Sequence, residues 1–319
     1  MRKGDGALGR FALGTGQMPT EAVVAAAVEA EAAGAEAVLV GENPLEPDAF
    51  VTAAAVLAAT HSVRVGPGVA NVWDRHPLTL GRGAATLDRL APGRALLGVG
   101  RGDRDAVEQS LRVSAAGGLA ALEDTLRILR PLLDGAVVDH TGKVWSARLE
   151  PLPERTRARG GVRLYLAAVG QRTLELAGRL ADGVLLNYAA SPEYVGWAVA
   201  QIARGAEAAG RDPATVDVLG WVLVARSDLD GAPAQLEHVR ATVATTLRLP
   251  DQGAALAGPA GGLPARLDDA TLARFALLGD GAQVHARLGD YRRAGLRCPV
   301  FLPSGLRALL GWPAAPGVL

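Results

Sequence analysis

An α/β fold, specifically a (β/α)8 TIM barrel with insertions after strands four and seven, is what the patterning of this chain predicts. Short apolar runs alternate with longer helical stretches, the signature of βα units. Eight such runs follow one another, and 319 residues suit one barrel carrying insertions. No fixed-period repeat and no linker-like boundary interrupts the alternation, so residues 1–319 read as a single domain.

The elements follow in order. Phe11–Gly14 is strand one. Its helix starts at Thr20, read as the N-cap, with Glu21 in the first turn and Gly34 just past the C-terminus. Ala37–Val40 is strand two, and Pro47-Asp48 opens a helix reaching Thr60. Val63–Gly68 is strand three, and the helix after Pro77 carries Leu87 and Leu90 on its apolar face. Arg94–Gly100 is strand four. A helix over Leu119–Leu133 follows it, then a small hairpin turning at Thr141-Gly142. Val162–Ala167 is strand five, with its helix over Arg172–Leu180, and Gly183–Asn187 is strand six. Ser191-Pro192-Glu193 then supplies an N-cap, an N1 proline and an acidic first turn. Val216–Ala225 is strand seven. Asp228–Asp269, with the run GAALAGPAGGLP, has little pattern and reads as a mobile insertion. Asp280 and Gln283 start a helix as a capping box, and CPVFLPS supplies strand eight.

Composition excludes several function classes. With 33 basic and 33 acidic residues the formal charge is zero, which offers nucleic acid or an anionic membrane no electrostatic footprint. The lone cysteine, Cys298, forms no internal disulfide and reads as a small buried residue. The N-terminus lacks an apolar signal core, and glutamates interrupt the alanine-rich run after Thr20, so the expectation is a soluble cytoplasmic protein with a small-molecule substrate. The five histidines lie far apart and no HExxH occurs, so no metal site is expected. Neither a P-loop nor a nucleophile elbow is present.

In a barrel of this kind the site lies where strand C-termini meet the βα loops. Almost every predicted strand ends in glycine, which suggests backbone approaching something broad and flat. GVGRGD (Gly98–Asp103) lacks the third glycine of a dinucleotide fingerprint. It reads instead as a strand end that admits a ligand, with Arg101 and Asp103 either at its rim or paired in solvent. AAVGQRT runs from strand five straight into a helix. Its start is either an anion site assisted by Arg172 or an ordinary turn with a surface arginine. Glu42, after strand two, is a candidate acid/base, a ligand acceptor or a helix-capping carboxylate. His76 is a candidate proton donor or a structural hydrogen-bonder before the next helix.

These residues resemble the bacterial luciferase-like superfamily of flavin- and deazaflavin-dependent oxidoreductases. The matching stretches include AVEAEAAGAEAVLVGE, VRVGPGVANVWDRHP, RALLGVGRGD and LYLAAVGQRTLELAGRLADGVLLN, in order on the corresponding βα units. NVWDRHP and the strand-five segment look most like the methylenetetrahydromethanopterin-reductase-like branch. The resemblance implies coenzyme F420 as cofactor, with a non-prolyl cis peptide at Gly68-Val69 buttressing the back of the ring. It implies phosphate contacts at Ala168, Val169, Gly170, Gln171 and Arg172, and pocket positions at Glu42, Asn71, Gly100, Arg101 and Asp103. Glu42 or His76 would supply or remove the proton that accompanies the hydride. Two other readings stand beside this one: an FMN-dependent monooxygenase fed reduced flavin, and a non-catalytic flavin-binding barrel. Members are often homodimers.

Overall fold

Side chains alternate across each central strand, and here both faces are apolar, so every strand must be covered inside and out. A computed structural model describes residues 8–16, 18–44 and 46–312. Its strands are β1 (Ala12–Gly14), β2 (Ala37–Val40), β3 (Arg64–Pro67), β4 (Ala70–Asn71) and β5 (Leu96–Gly100). An antiparallel hairpin, β6 (Val138–Thr141) and β7 (Ser146–Leu149), stands outside the barrel. Then come β8 (Arg163–Ala167), β9 (Gly183–Leu186), β10 (Asp217–Trp221), β11 (Val224–Arg226), β12 (Leu277–Gly279) and β13 (Cys298–Phe301).

The main sheet runs β3-β2-β1-β13-β10-β9-β8-β5-β4, and its ladders are parallel. Nine segments make eight staves, because strand three changes partner part-way along. β3 pairs with β2 (Val38 opposite Val65), whereas β4 pairs with β5 (Ala70 opposite Val99). A bridge between Val65 and Ala95 closes the ring.

Inward side chains, Ala12, Ala37, Leu39, Leu96, Tyr165, Leu185, Leu219, Cys298 and Val300, fill the barrel. Their outward neighbours, such as Leu13, Val38, Leu97 and Leu166, pack under the helices. Those helices are α1 (Thr20–Ala32), α2 (Ala49–Ala59), α3 (Pro77–Leu90), α4 (Arg104–Leu111), α5 (Gly118–Leu133) and α6 (Gln171–Leu180). The remainder are α7 (Pro192–Ala208), α8 (Ala232–Arg248), α9 (Pro250–Ala257), α10 (Asp269–Leu272), α11 (Gly281–Arg293) and α12 (Pro303–Leu310). The N-terminal end of the barrel is plugged by Arg10, whose guanidinium donates to Asp217 (3.0 and 3.2 Å) and to Glu36 (2.9 and 3.0 Å). Cys298 is buried and its thiol is pushed up to about 12 by that burial, in line with a packing residue.

Four sequence expectations change. Thr20 is the first helical residue, not the N-cap; Pro19 takes that place, and the Thr20 hydroxyl meets Thr52 at 3.0 Å instead. Leu87 is buried, but Leu90 is 63% exposed because the last turn of α3 rotates it off the packed stripe. Strand seven breaks at Val222-Leu223, and β11 leaves the barrel to pair with β12. Asp228–Asp269 is largely helical: α8 and α9 bury Val239, Val243, Leu247 and Leu256, an apolar stripe diluted by alanines and threonines. The other caps agree, including Asp48 on α2, Ser191 on α7 and the reciprocal Asp280–Gln283 box on α11.

Candidate cofactor and substrate site

A cavity of about 1130 Å³ opens at the C-terminal ends of the barrel strands. One wall is Gly68, Val69 and Gly100, and the peptide bond between Gly68 and Val69 is cis, as the resemblance implied. The glycines here have a different use from the one their number suggested. A Cβ on Gly66 would lie 1.9 Å from the Leu96 carbonyl oxygen, and one on Gly100 would lie 2.6 Å from Val69 Cγ2. They let β3 and β5 close on each other around Val69. The flat wall is a consequence of that tight seam.

The adjoining part of the lining, after β8, carries a helix start and a cation. Helix α6 begins at Gly170, whose extended N-cap conformation provides no side-chain acceptor. The first amides of any helix lack intrahelical partners, so those of Gln171 and Arg172 stay available. A Cβ on Gly170 would meet nothing within 4 Å, so this helix end faces open space. Ala168, Val169, Gly170, Gln171, Arg172 and Thr173 all line the cavity. The loop is anchored from behind by Tyr194, buried on α7, whose hydroxyl donates to the Val169 carbonyl at 2.7 Å. Helix α5 also starts uncapped, at Gly117, and its first turn lines the same cavity. Arg101 and Asp103 are at this rim, and Asp103 caps α4 by accepting from the Ala106 amide at 2.9 Å.

Three of the sequence-derived residues lie behind the lining. Asn71 touches the cavity wall from outside: its side-chain nitrogen sits beside Gly102, and its Oδ1 accepts from the Trp73 amide at 2.9 Å. The His76 Nδ1 accepts from the Leu78 amide at 3.2 Å, starting α3, and its ring meets Trp145 edge-on at 5.2 Å. The Glu42 side chain is only 6% exposed. Its Oε1 accepts from Arg75 Nε and Nη2 (3.2 and 2.9 Å), while its Oε2 has no partner among the described residues. Burial pushes this carboxyl above its ordinary value, although Arg75 pulls the other way. Arg75 also binds Asp48 at 2.5 Å and lies over the Phe50 ring at 5.1 Å.

The far end of the cavity holds residues that the sequence did not single out as ligand-binding. Asn187, Trp221, Leu249 and Gln252 line it. Asn187 Nδ2 donates to Gln252 Oε1 at 2.6 Å, and the Tyr188 ring packs tilted by 39° against Trp221 with centroids 4.9 Å apart. Trp221 was hidden inside an apparently continuous strand, and Gln252 inside a region without pattern. Among the described residues no group of three or more His, Cys, Asp or Glu could hold a metal ion, and no helix is long and apolar enough to cross a membrane.

Comparison with known proteins agrees with this geometry. The chain is 32% identical over 206 residues to 5,10-methylenetetrahydromethanopterin reductase of Methanolobus tindarius, covering 65% of this chain and 61% of that protein. It is 30% identical over 186 residues to the F420-dependent glucose-6-phosphate dehydrogenase of Nocardia farcinica, covering 54% and 52%. The chain thus spans between half and two thirds of the length of these relatives. The solved coenzyme F420-dependent tetrahydromethanopterin reductase of Methanopyrus kandleri superposes with a TM-score of 0.75 at 23% identity, covering 92% of each chain, and shares the fold. The barrel, its closed strand-three seam and a match to the luciferase-like monooxygenase family model across residues 7–298 lead to one assignment: the chain belongs to that family.

Proposed function

We propose that this chain is an F420-dependent oxidoreductase that exchanges a hydride between a bound 5-deazaflavin and a small organic substrate. The observation that carries the reading is the uncapped start of α6, with Arg172, opening into a strand-end cavity that Gly68, Val69 and Gly100 also line. A flat ring bearing a phosphate fits that pairing. The phosphate would be held by the Gly170–Arg172 backbone and the Arg172 side chain, and the ring would lie toward Gly68, Val69 and Gly100. The cavity volume exceeds that of an ordinary single-ligand pocket, which leaves room for a substrate beside the cofactor.

When bound, the deazaflavin supplies the hydride chemistry. The chain's part is to dock the phosphate, back the ring and hold substrate against its open face, since positioning alone lowers much of the barrier. For the accompanying proton Glu42 would have to act from behind the lining, through a group or water between it and the cavity; its Oε1 is fixed by Arg75 and its Oε2 has no partner among the described residues. His76 stands second, because its Nδ1 is occupied by the Leu78 amide. The relative named as F420-dependent supports the cofactor; the family's description as monooxygenases supports an FMN-dependent alternative.

Titration of the purified protein with F420 and with FMN, followed by each cofactor's absorbance, separates these readings. Micromolar F420 affinity with weak FMN binding is expected. The reverse, together with oxygen consumption in the presence of reduced FMN, would replace the proposal with the monooxygenase reading.

A further inference from the structure

The cavity is polarised along its length. Its cations, Arg101 and Arg172, and its two uncapped helix starts lie at one end. The other end, Leu185, Asn187, Trp221, Leu249 and Gln252, carries no charged side chain among the described residues. An anionic substrate would find no counter-charge among these lining residues.

The polar groups at that end are an ordered amide pair. The Tyr188 backbone N–H donates to Asn187 Oδ1 at 2.8 Å, which fixes the Asn187 amide so that Nδ2 donates to Gln252 Oε1. That bond in turn orients Gln252, and its Nε2 donates to no acceptor among the described residues. Gln252 belongs to α9, so the insertion after β10 brings a hydrogen-bond donor to a site otherwise built by the barrel.

We propose that this neutral end is the substrate subsite, where Gln252, oriented by Asn187, donates to an uncharged carbonyl or alcohol compound lying against Trp221. The proposal rests on the oxidoreductase reading for the chemistry that follows binding, but the subsite itself is testable without cofactor. An amide donor recognises a carbonyl or hydroxyl oxygen, and the indole and leucines accept an apolar body.

The test titrates the full chain with cyclohexanone and with cyclohexanol, and separately with glucose 6-phosphate as a charged comparison, following tryptophan fluorescence. Five tryptophans contribute to that signal, so Trp221→Phe identifies the part that reports the subsite. Both neutral probes should give a saturable change that is lost in Trp221→Phe, and glucose 6-phosphate, which the helix start at Gly170 can hold by its phosphate, should give no Trp221-dependent change. Gln252→Leu should weaken the neutral probes about tenfold, the scale of one hydrogen bond. Gln252→Glu, nearly the same shape without the amide donors, should weaken them as well. Unchanged affinity in both variants, no response to the neutral probes, or a Trp221-dependent response to glucose 6-phosphate of equal affinity would each overturn the subsite. F420 affinity, read in parallel from cofactor absorbance, should be the same in wild type and Gln252→Leu. A wild-type chain that responds to the neutral probes but binds no F420 would overturn the functional reading and leave the subsite standing.

Discussion

Glu42 and Arg75 show how two adjacent charges can be read only together. Glu42 follows strand two, as a site carboxylate should, but the sequence does not reveal that Arg75, 33 positions away, would claim one of its oxygens. The folded Glu42 carboxyl is raised by burial and held in check by Arg75, so removing the arginine should lift it further. Arg75→Met should therefore destabilise the protein near neutral pH by about 3–5 kcal/mol, the scale of stranding one partner of a buried pair. A carboxyl whose folded pKa lies above its unfolded value costs stability as pH rises, so the loss should shrink on acidification as Glu42 takes up a proton. Urea unfolding of both proteins at several pH values, with carbon-13 NMR of the carboxyl, checks both parts. Arg172 should behave differently, being a cation at an open helix start. Arg172→Ala should leave stability nearly unchanged and weaken F420 binding about tenfold or more, with a shallower salt dependence.

At the scale of elements, caps and turn residues were the most legible features because their chemistry is local. Asp48, Ser191 and the Asp280–Gln283 box act within three residues of themselves, so spacing alone identifies them. Long-range capping is invisible by the same logic. Glu31 near the end of α1 accepts from the amides of His61, Ser62 and Val63 and from the Ser62 hydroxyl, tying the loop before β3 to a helix two units earlier. Burial opposes ionisation of Glu31, yet these bonds outweigh it and hold the carboxyl at about 2. A folded pKa below the ordinary 4.5 means that the stabilisation is complete above that value and is lost as pH falls toward about 2. Glu31→Gln should cost about 1–3 kcal/mol at neutral pH and little near pH 2. Thermal unfolding across that acid range measures it; a cost that does not diminish on acidification would mean that the carboxylate's charge contributes nothing. The insertion failed to show its pattern for another reason. In α8 and α9 the buried positions are spaced by alanine, threonine and glycine, and the resulting amphipathicity is too weak to stand out.

For the whole molecule, the barrel was legible because eight apolar runs admit few closed parallel arrangements, and the helix start proposed to hold the phosphate because it is one contiguous segment. The proposed substrate end was not, since Asn187, Trp221 and Gln252 come from three separate elements and meet only after closure. Closure itself depends on the β3–β5 seam, where the Val65–Ala95 bridge joins the last two staves. Gly66 makes that approach feasible: an added Cβ would lie 1.9 Å from a backbone oxygen of Leu96, which cannot rotate away as a side chain does. Gly170, at the same mouth, has open space around its Cβ position and an extended φ of −85° that alanine also adopts. Two substitutions of one methyl group should then have opposite readouts. Gly66→Ala should lower stability by about 3 kcal/mol or prevent folding, the upper range for overpacking, because the seam must part to admit it. Gly170→Ala should change stability by less than about 1 kcal/mol, and should weaken F420 binding by crowding the amides at the start of α6. Urea midpoints for the pair, with F420 affinity measured on the folded Gly170→Ala protein, decide the matter. Equal stability of the two variants would show that the seam yields, whereas unaltered F420 affinity in Gly170→Ala would move the phosphate away from α6.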